Sequence, residues 1–402
     1  MKKLLAIVLA LVMIFAVAAC AVETTTPPAA TPAPTPEPAA APEPAPEAPA
    51  TDEPAADAGP GFGVISWNEG EIPLALITDY GDIDDESFNQ GSWEGLVQFA
   101  QPNGIPYEYF RPVERGSTEA NLDSISQAVA AGAQVIVTPG FLFTEAIYEA
   151  QQTWPDLTII LLDAVPAPPG GDSVIGPNTA AVLYAEEQSG FLAGYAAVID
   201  GYRDLGFVGG IAVPAVVRFG HGFVEGAEYA ANELGLAAGD VTVRYNYLGS
   251  FAPSPEAQAM AASWFADGVE VIFAAAGGAG GSVFAAAEAN NAKAIGVDVD
   301  QGHHSETVIT SALKDLRSSV SQMLDAAFNG SFRGGEIHHF NAANQGVGLP
   351  DDFSRFNEFT KAQYDTIFGQ LASGAITVSD DISDPNPNEI LTLSLVTVTW
   401  VA

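Results

Sequence analysis

Alternation constrains this chain more than any other feature. From Ile72 onward, short apolar runs take turns with segments patterned for helices. The runs are LALIT (74–78), AQVIVTP (133–139), TIILLDA (158–164), LGFVGGI (205–211), VTVRYNYL (241–248), VEVIFAAA (269–276) and KAIGVDVD (293–300). Most are apolar on successive residues, so both faces of each strand are suited to burial. Helical patterns fill 117–131, 144–153, 186–199, 219–234, 255–266, 281–290 and 313–329. In the first of these, Leu122, Ile125 and Val129 recur at three- and four-residue spacing and build one buried face. Strands buried on both faces and joined by helices predict an α/β protein with doubly wound parallel sheets. The strands are too many for one compact sheet of ordinary size, which predicts two lobes. No short-period repeat is present.

The start reads MKKLLAIVLALVMIFAVAAC. Lys2 and Lys3 form a positive region, and 4–15 form an apolar stretch too short to span a bilayer comfortably. Val17-Ala18-Ala19-Cys20 resembles a bacterial lipobox, which implies a signal peptide over 1–20 and a lipid on Cys20. Several acyl chains, at roughly 0.8 kcal/mol per buried methylene, make a stable anchor. Cys20 is the single cysteine, so no disulfide forms within the chain. Residues 21–60 are Ala, Pro, Thr, Glu and Asp without periodicity, a disordered tether. At about 3.1 Å per residue it reaches on the order of 100 Å. The expected location is the extracytoplasmic face of the cell membrane, held by the lipid.

The formal net charge is −37, and no Lys or Arg occurs between Lys3 and Arg111. Such a surface excludes nucleic acid and anionic lipid headgroups as partners.

The densest chemistry lies at 78–90, TDYGDIDDESFNQ, between an apolar run and a helical pattern. Ser87 and Gln90 have capping-box spacing, which puts Phe88 and Asn89 on the first helical turn. Ligands of open α/β sheets bind outside the carboxyl ends of strands, where Asp79, Phe88 and Asn89 fall. A carboxylate accepts hydrogen bonds from ring N–H or amino groups, an aromatic ring stacks on a flat base, and Asn both donates and accepts. Asp82, Asp84, Asp85 and Glu86 favour the helix N-terminus electrostatically. A second reading is enzymatic. Nucleoside hydrolases carry D-x-G-x-D-D for calcium, and Asp79-Tyr80-Gly81-Asp82-Ile83-Asp84-Asp85 approximates it with one residue too many. The slip redirects the last carboxylates away from a cage of oxygens at about 2.4 Å.

ITDYGDIDDESFNQGSWEGL resembles the opening motif of the basic membrane protein family, lipoproteins related to purine-nucleoside receptors of ABC transporters. EEQSGFLAGYAA (186–197), VGGIAVPAVVRFGHGFVEGA (208–227), VIFAAAGGAGGSVFAAA (271–287), AIGVDVDQ (294–301), VITSALKDL (308–316) and LASGAITV (371–378) are similar to later family segments in the same order. The resemblance covers about 72–380. It implies the type I periplasmic-binding-protein fold, two Rossmann-like lobes with parallel sheets, a hinge of three crossovers and closure on ligand. The implied lobes are 72–176 plus 303–331, and 177–302 plus 332–402. Carried over by position, Asp79 bonds the base, Phe88 stacks on it and Asn89 lies beside them. Asp163 faces the cleft, Asp298 takes the ribose hydroxyls, and Lys314 reaches the sugar. A diol matches a carboxylate well, and a nearby ammonium favours the charged form of such a group. Phe219 and Phe223 are candidates for a second aromatic. The implied function is an ABC-transporter receptor for purine nucleosides, with permease and ATPase subunits as partners and no cofactor. A sensory receptor of the same fold and the metal-dependent hydrolase are the alternatives. Two features depart from the pattern: Glu86 stands near a position where the family often has a basic residue, and the stretch beyond 380 is long and ends in a strand-like run.

Other signals are weaker. Gly277-Gly278-Ala279-Gly280-Gly281 follows a strand but lacks G-x-G-x-x-G and a P-loop Lys. Gly277 therefore reads as a point of close backbone approach to ligand or to a neighbouring helix. His303–His304 and His338–His339 are adjacent pairs, and adjacent residues diverge on a helix or strand, which argues against a metal site. G-x-S-x-G is absent, so no serine-hydrolase arrangement is indicated.

Overall fold

The computed structural model describes residues 65–401; the expected signal peptide, Cys20 and the tether lie outside the described residues. The chain opens with β1 (Leu74–Ile77), α1 (Phe88–Ala100), β2 (Tyr107–Phe110), α2 (Thr118–Ala130), β3 (Val135–Pro139), α3 (Thr144–Thr153), β4 (Thr158–Leu162) and β5 (Thr179–Tyr184). It continues through α4 (Glu186–Ile199), β6 (Asp204–Gly209), α5 (Pro214–Glu233), β7 (Val241–Tyr247), α6 (Pro255–Ala266), β8 (Val271–Ala275), α7 (Gly280–Asn290), β9 (Lys293–Asp298) and β10 (Val308–Lys314). It finishes with α8 (Leu316–Asn329), β11 (Ile337–Phe340), β12 (Val347–Gly348), α9 (Lys361–Ala372), α10 (Pro387–Ile390) and β13 (Val396–Trp400).

Two sheets result. The first has the order β11-β5-β4-β3-β1-β2 with every pairing parallel. The second has the order β12-β10-β9-β8-β6-β7-β13 and is parallel except for β12 against β10. Central strands β1, β3, β4 and β8 are buried at every residue, which is why they read as unbroken apolar runs. Edge strands β2 (YEYF) and β11 (IHHF) are half-exposed, so polar residues interrupt them and hide them from a search for such runs.

The chain passes between sheets three times: at Ala185 from β5 to α4, at Asp315 from β10 to α8, and between β11 and β12. The division expected at 176/177, 302/303 and 331/332 therefore needs correction. β5 and β11 belong to the first sheet, and β10 to the second. The loop over 164–178 turns within one lobe and does not leave it, because its following strand pairs with β4. The helix expected over 313–329 begins only at Leu316, since Leu313 and Lys314 are still paired with β9 and β12.

Helix α4 lies along α5, and glycines set the distance. A Cβ on Gly190 would stand 2.2 Å from Phe219 O, and one on Gly222 would stand 2.0 Å from Glu187 O. No side chain fits there, so the two backbones touch. Their contact places Glu186 and Phe219 at the same end of the helix pair. The second sheet gains its outer strand from the tail: β13 runs parallel to β7, with Trp400 stacked on Tyr245 at 5.6 Å between ring centroids.

Candidate functional site

Four charged side chains converge at carboxyl ends of strands. Asp79 follows β1, Asp163 follows β4, Asp298 closes β9 and Lys314 closes β10. Together with Phe88, Asn89 and Gly277 they line one cavity of about 390 Å³ between the two sheets. All seven pocket residues expected from the sequence thus share one cleft, at the place where open α/β sheets bind ligands.

Lys314 is the centre of the buried end. Its Nζ donates to Asp163 Oδ2 at 2.5 Å and lies 3.5 Å from both Asp298 Oδ1 and Glu186 Oε1. The ring centroids of Phe88, Phe219 and Tyr184 are 4.7, 5.1 and 5.6 Å from the same atom. Burial works against the ammonium, but the three carboxylates outweigh it and raise its pKa. Burial also pushes the Asp163 carboxyl up, and Lys314 only partly offsets it. Asp163 Oδ1 and Glu186 Oε1 are buried without a hydrogen-bond partner. Asp163 lines the cavity, so its free oxygen is a place for a hydroxyl or N–H donor of a ligand, whereas Glu186 Oε1 faces Lys314.

Asp163 and Asp298 both have left-handed backbones, with φ of 59° and 66°. Non-glycine residues in that region store strain, and such strain clusters at ligand clamps. Asp298 is held from the opposite lobe as well: Ser87 Oγ donates to its Oδ2 at 2.6 Å.

Asp79 and Asn89 form a reciprocal pair. Asn89 Nδ2 donates to Asp79 Oδ1 at 3.0 Å, and the Asp79 amide donates to Asn89 Oδ1 at 3.3 Å. Burial raises the Asp79 pKa against these bonds. Gly140, with φ of 120°, lets the chain pass close by; a Cβ there would lie 2.2 Å from Asp79 Oδ2.

The capping box expected at Ser87 and Gln90 does not form. The Ser87 hydroxyl is spent on Asp298, and Asp85 caps the helix instead, accepting from the amides of Ser87, Asn89 and Gln90. Gln90 Oε1 accepts from the Glu86 amide. Asp82 pairs with Arg111 and Arg115, each at 2.8 Å, while Asp84 is exposed. Asp82 is thus taken up by two arginines, while Asp79 and Asp85 share Asn89 Nδ2 as a donor at 3.0 and 2.9 Å, so these oxygens are committed to N–H donors and are not gathered into the cage calcium needs.

Of the two candidates for a second aromatic, Phe219 lines the cavity, whereas Phe223 is packed in the core against Phe207 and Phe273. Sequence reasoning missed Tyr80, Phe251 and Arg115, which line the cavity, and Glu186, which is buried against Lys314. Tyr80 meets Phe251 edge to face at 6.0 Å, and its hydroxyl is 3.3 Å from Ser250 Oγ, so the lobes touch across the cleft mouth. Phe251 also packs beside Gly277, whose φ of 53° turns the chain there. Tyr80 lies inside the motif that drew attention to Asp79 and could have been found with it. Phe251 sits in a loop whose neighbours carry no periodic signal.

Two mostly parallel sheets with helices on their faces, three crossovers and a charged cleft walled by aromatic rings define a two-lobed solute-binding protein. Residues 72–381 match the model of the Bmp family, described as ABC transporter substrate-binding protein PnrA-like, and the chain belongs to that family. It is therefore a substrate-binding protein and not an enzyme. An ABC transporter nucleoside-binding protein BmpA of Lactococcus lactis is 29% identical over 327 residues, covering 75% of this chain and 88% of the relative. Basic membrane protein A1 of Borrelia garinii is 29% identical over 288 residues, covering 70% and 80%. Among solved structures, an ABC transporter solute-binding protein from Aeropyrum pernix superposes with a TM-score of 0.68 at 22% identity, covering 79% of this chain and 95% of that one. One from Conexibacter woesei gives 0.61 at 22% identity, covering 76% and 98%. These two likenesses concern the fold.

Proposed function

We propose that this chain is the lipid-anchored, extracytoplasmic receptor of a nucleoside importer, and that its ligand is a purine nucleoside. The observation that carries this reading is the division of the cleft. Asp298, Asp163 and Lys314 form a charged buried end matched to vicinal hydroxyls. Asp79 and Asn89 offer acceptor and donor atoms to the edge of a base, and Phe88 with Phe219 or Phe251 offers flat faces. The cavity volume lies in the range that drug-sized ligands occupy. The printed name of the Lactococcus relative supports the same ligand class. Closure is the mechanism: contacts from both lobes act on the ligand only when the lobes meet. Anchoring at Cys20 and delivery to permease and ATPase subunits belong to this reading.

A thermal-shift series with guanosine, adenosine, inosine, cytidine, ribose and calcium chloride tests it. A ligand at a hundred times its dissociation constant adds roughly 2.7 kcal/mol of stability. Stabilisation by purine nucleosides, little by ribose or calcium, and loss of the effect in Asp298→Ala are expected. Stabilisation by ribose alone would replace the nucleoside with a sugar; none by any compound would remove the ligand assignment.

A further inference from the structure

Beside the cleft, on its outer flank, three metal-ligating side chains meet. Glu86 belongs to the loop between β1 and α1, in the first lobe. His303 and His304 belong to the loop between β9 and β10, in the second. One ligand atom of each lies within 4.8 Å of the others. The expectation that adjacent histidines diverge fails here, because it holds for regular helix or strand and this pair sits in a turn. Their rings lie 4.3 Å apart between centroids.

We propose that Glu86, His303 and His304 form a binding site for a divalent transition-metal ion of the zinc class, bridging the two lobes. Two imidazole nitrogens and one carboxylate oxygen suit zinc, copper or nickel and do not suit magnesium or calcium, which take oxygen ligands. Zinc holds such donors at about 2.0–2.2 Å, so small side-chain rotations bring the three atoms to bonding distance. Three protein ligands leave a coordination position for water.

Each side chain is already oriented by a second contact. His303 Nδ1 is 3.1 Å from the Asp300 carbonyl, which keeps the proton on Nδ1 and the lone pair on Nε2. Ligating histidines regularly have such a partner. The His304 ring packs on Phe284 at 5.7 Å. Its Nε2 is 2.7 Å from Glu86 Oε2, yet it is buried and lacks hydrogen-bond geometry to any partner. At 2.7 Å these two atoms stand closer than neighbouring ligands of a tetrahedral zinc ion, so the side chains must part by a fraction of an ångström to admit the ion between them. Glu86 is fixed by a left-handed backbone (φ 55°), by its amide donating to Gln90 Oε1, and by Gln301 Nε2 donating to its carbonyl at 2.8 Å from the other lobe. Binding here ties the entrance of α1, which carries Phe88 and Asn89, to the loop that follows Asp298.

Isothermal titration of the protein with zinc chloride alone, after treatment with chelator, tests the site. Saturable one-to-one binding is expected, with magnesium chloride giving none. Affinity should fall at least about 10-fold in Glu86→Gln and His303→Ala and more in His304→Ala, since even outer partners of a metal carry that much. Circular dichroism of each variant separates loss of the site from loss of the fold. Cobalt chloride supplies a second readout, a visible absorption band that appears in the wild type and is lost in His304→Ala. Absence of saturable zinc binding, equal binding of magnesium, or zinc affinity unchanged in all three variants would overturn the proposal.

Discussion

Asp163 and Asp298 end corresponding central strands of the two sheets, both with left-handed backbones, and both turn their carboxylates on Lys314 Nζ. Each lobe thus contributes one strained aspartate to one ammonium. The pairing explains why the cleft is charged at its most buried end: each acid faces a counter-charge that burial alone would not supply.

Asp298→Asn should keep the backbone, because Asn tolerates the left-handed region. It should weaken binding of the proposed nucleoside by about 1.5–3 kcal/mol, the worth of a hydrogen bond to a charged group. Asp298→Ala should lose binding and in addition about 1–2 kcal/mol of stability from the strained backbone. Calorimetric titration and urea unfolding of the two variants separate the effects. Equal stability of both variants would mean that the backbone there carries no strain.

Lys314→Met leaves Asp163, Asp298 and Glu186 buried around an uncharged side chain. Removing one partner of a buried pair costs about 3–5 kcal/mol. The loss should be largest at pH 8 and partly recovered at pH 5, where Asp163, whose carboxyl burial pushes up, takes a proton. A loss independent of pH would place the cost in packing, not charge.

Burial raises Glu187 to about 7 and raises Asp163 as well. In each case the folded pKa lies above the unfolded one, so the folded state binds more protons between them. The stabilising contribution is complete below about pH 4 and is lost as pH rises through 7. Stability should therefore fall from pH 5 to pH 8, by at most about 1.4 kcal/mol per pH unit for each group. Urea midpoints across this range should flatten in Glu187→Gln; an unchanged slope would exclude Glu187 as a source.

Removal of residues 392–402 takes away β13, which lies beyond the family match. Glu228 then loses the amides of Ser394, Leu395 and Val396, and β7 becomes an open edge. Buried Val396 and stacked Trp400 together imply at least about 2 kcal/mol of lost stability. Thermal unfolding and light scattering should show a lower midpoint and self-association, since unpaired edges recruit strands. An unchanged midpoint would mark the tail as an ornament.

Gly222→Ala should cost about 1–3 kcal/mol, because its methyl meets Glu187 O and forces α4 and α5 apart. Affinity for the proposed nucleoside should fall with it, since that helix pair presents Phe219 to the cleft and Glu186 to Lys314. Unchanged affinity would show that the cleft absorbs the shift.

Sequence alone determined the fold class and the strand ends that form the cleft. Central parallel strands are buried on both faces, so β1, β3, β4, β6, β8 and β9 are written as continuous apolar runs, and Asp79, Asp163 and Asp298 stand where those runs stop. Edge strands β2 and β11 are half-exposed and carry no such signature, whereas β13 reads as a strand-like run of alternating residues. Only the tertiary structure decided how the charges pair: Lys314 lies 151 residues from Asp163, and Ser87 lies 211 from Asp298. It also decided that Ser87 serves Asp298 while Asp85 caps α1, that Phe219 faces the cleft while Phe223 faces the core, and that Glu86 meets two histidines. Local pattern records which faces are buried, whereas the partner of a polar atom depends on which distant strand end the chain crossovers bring beside it.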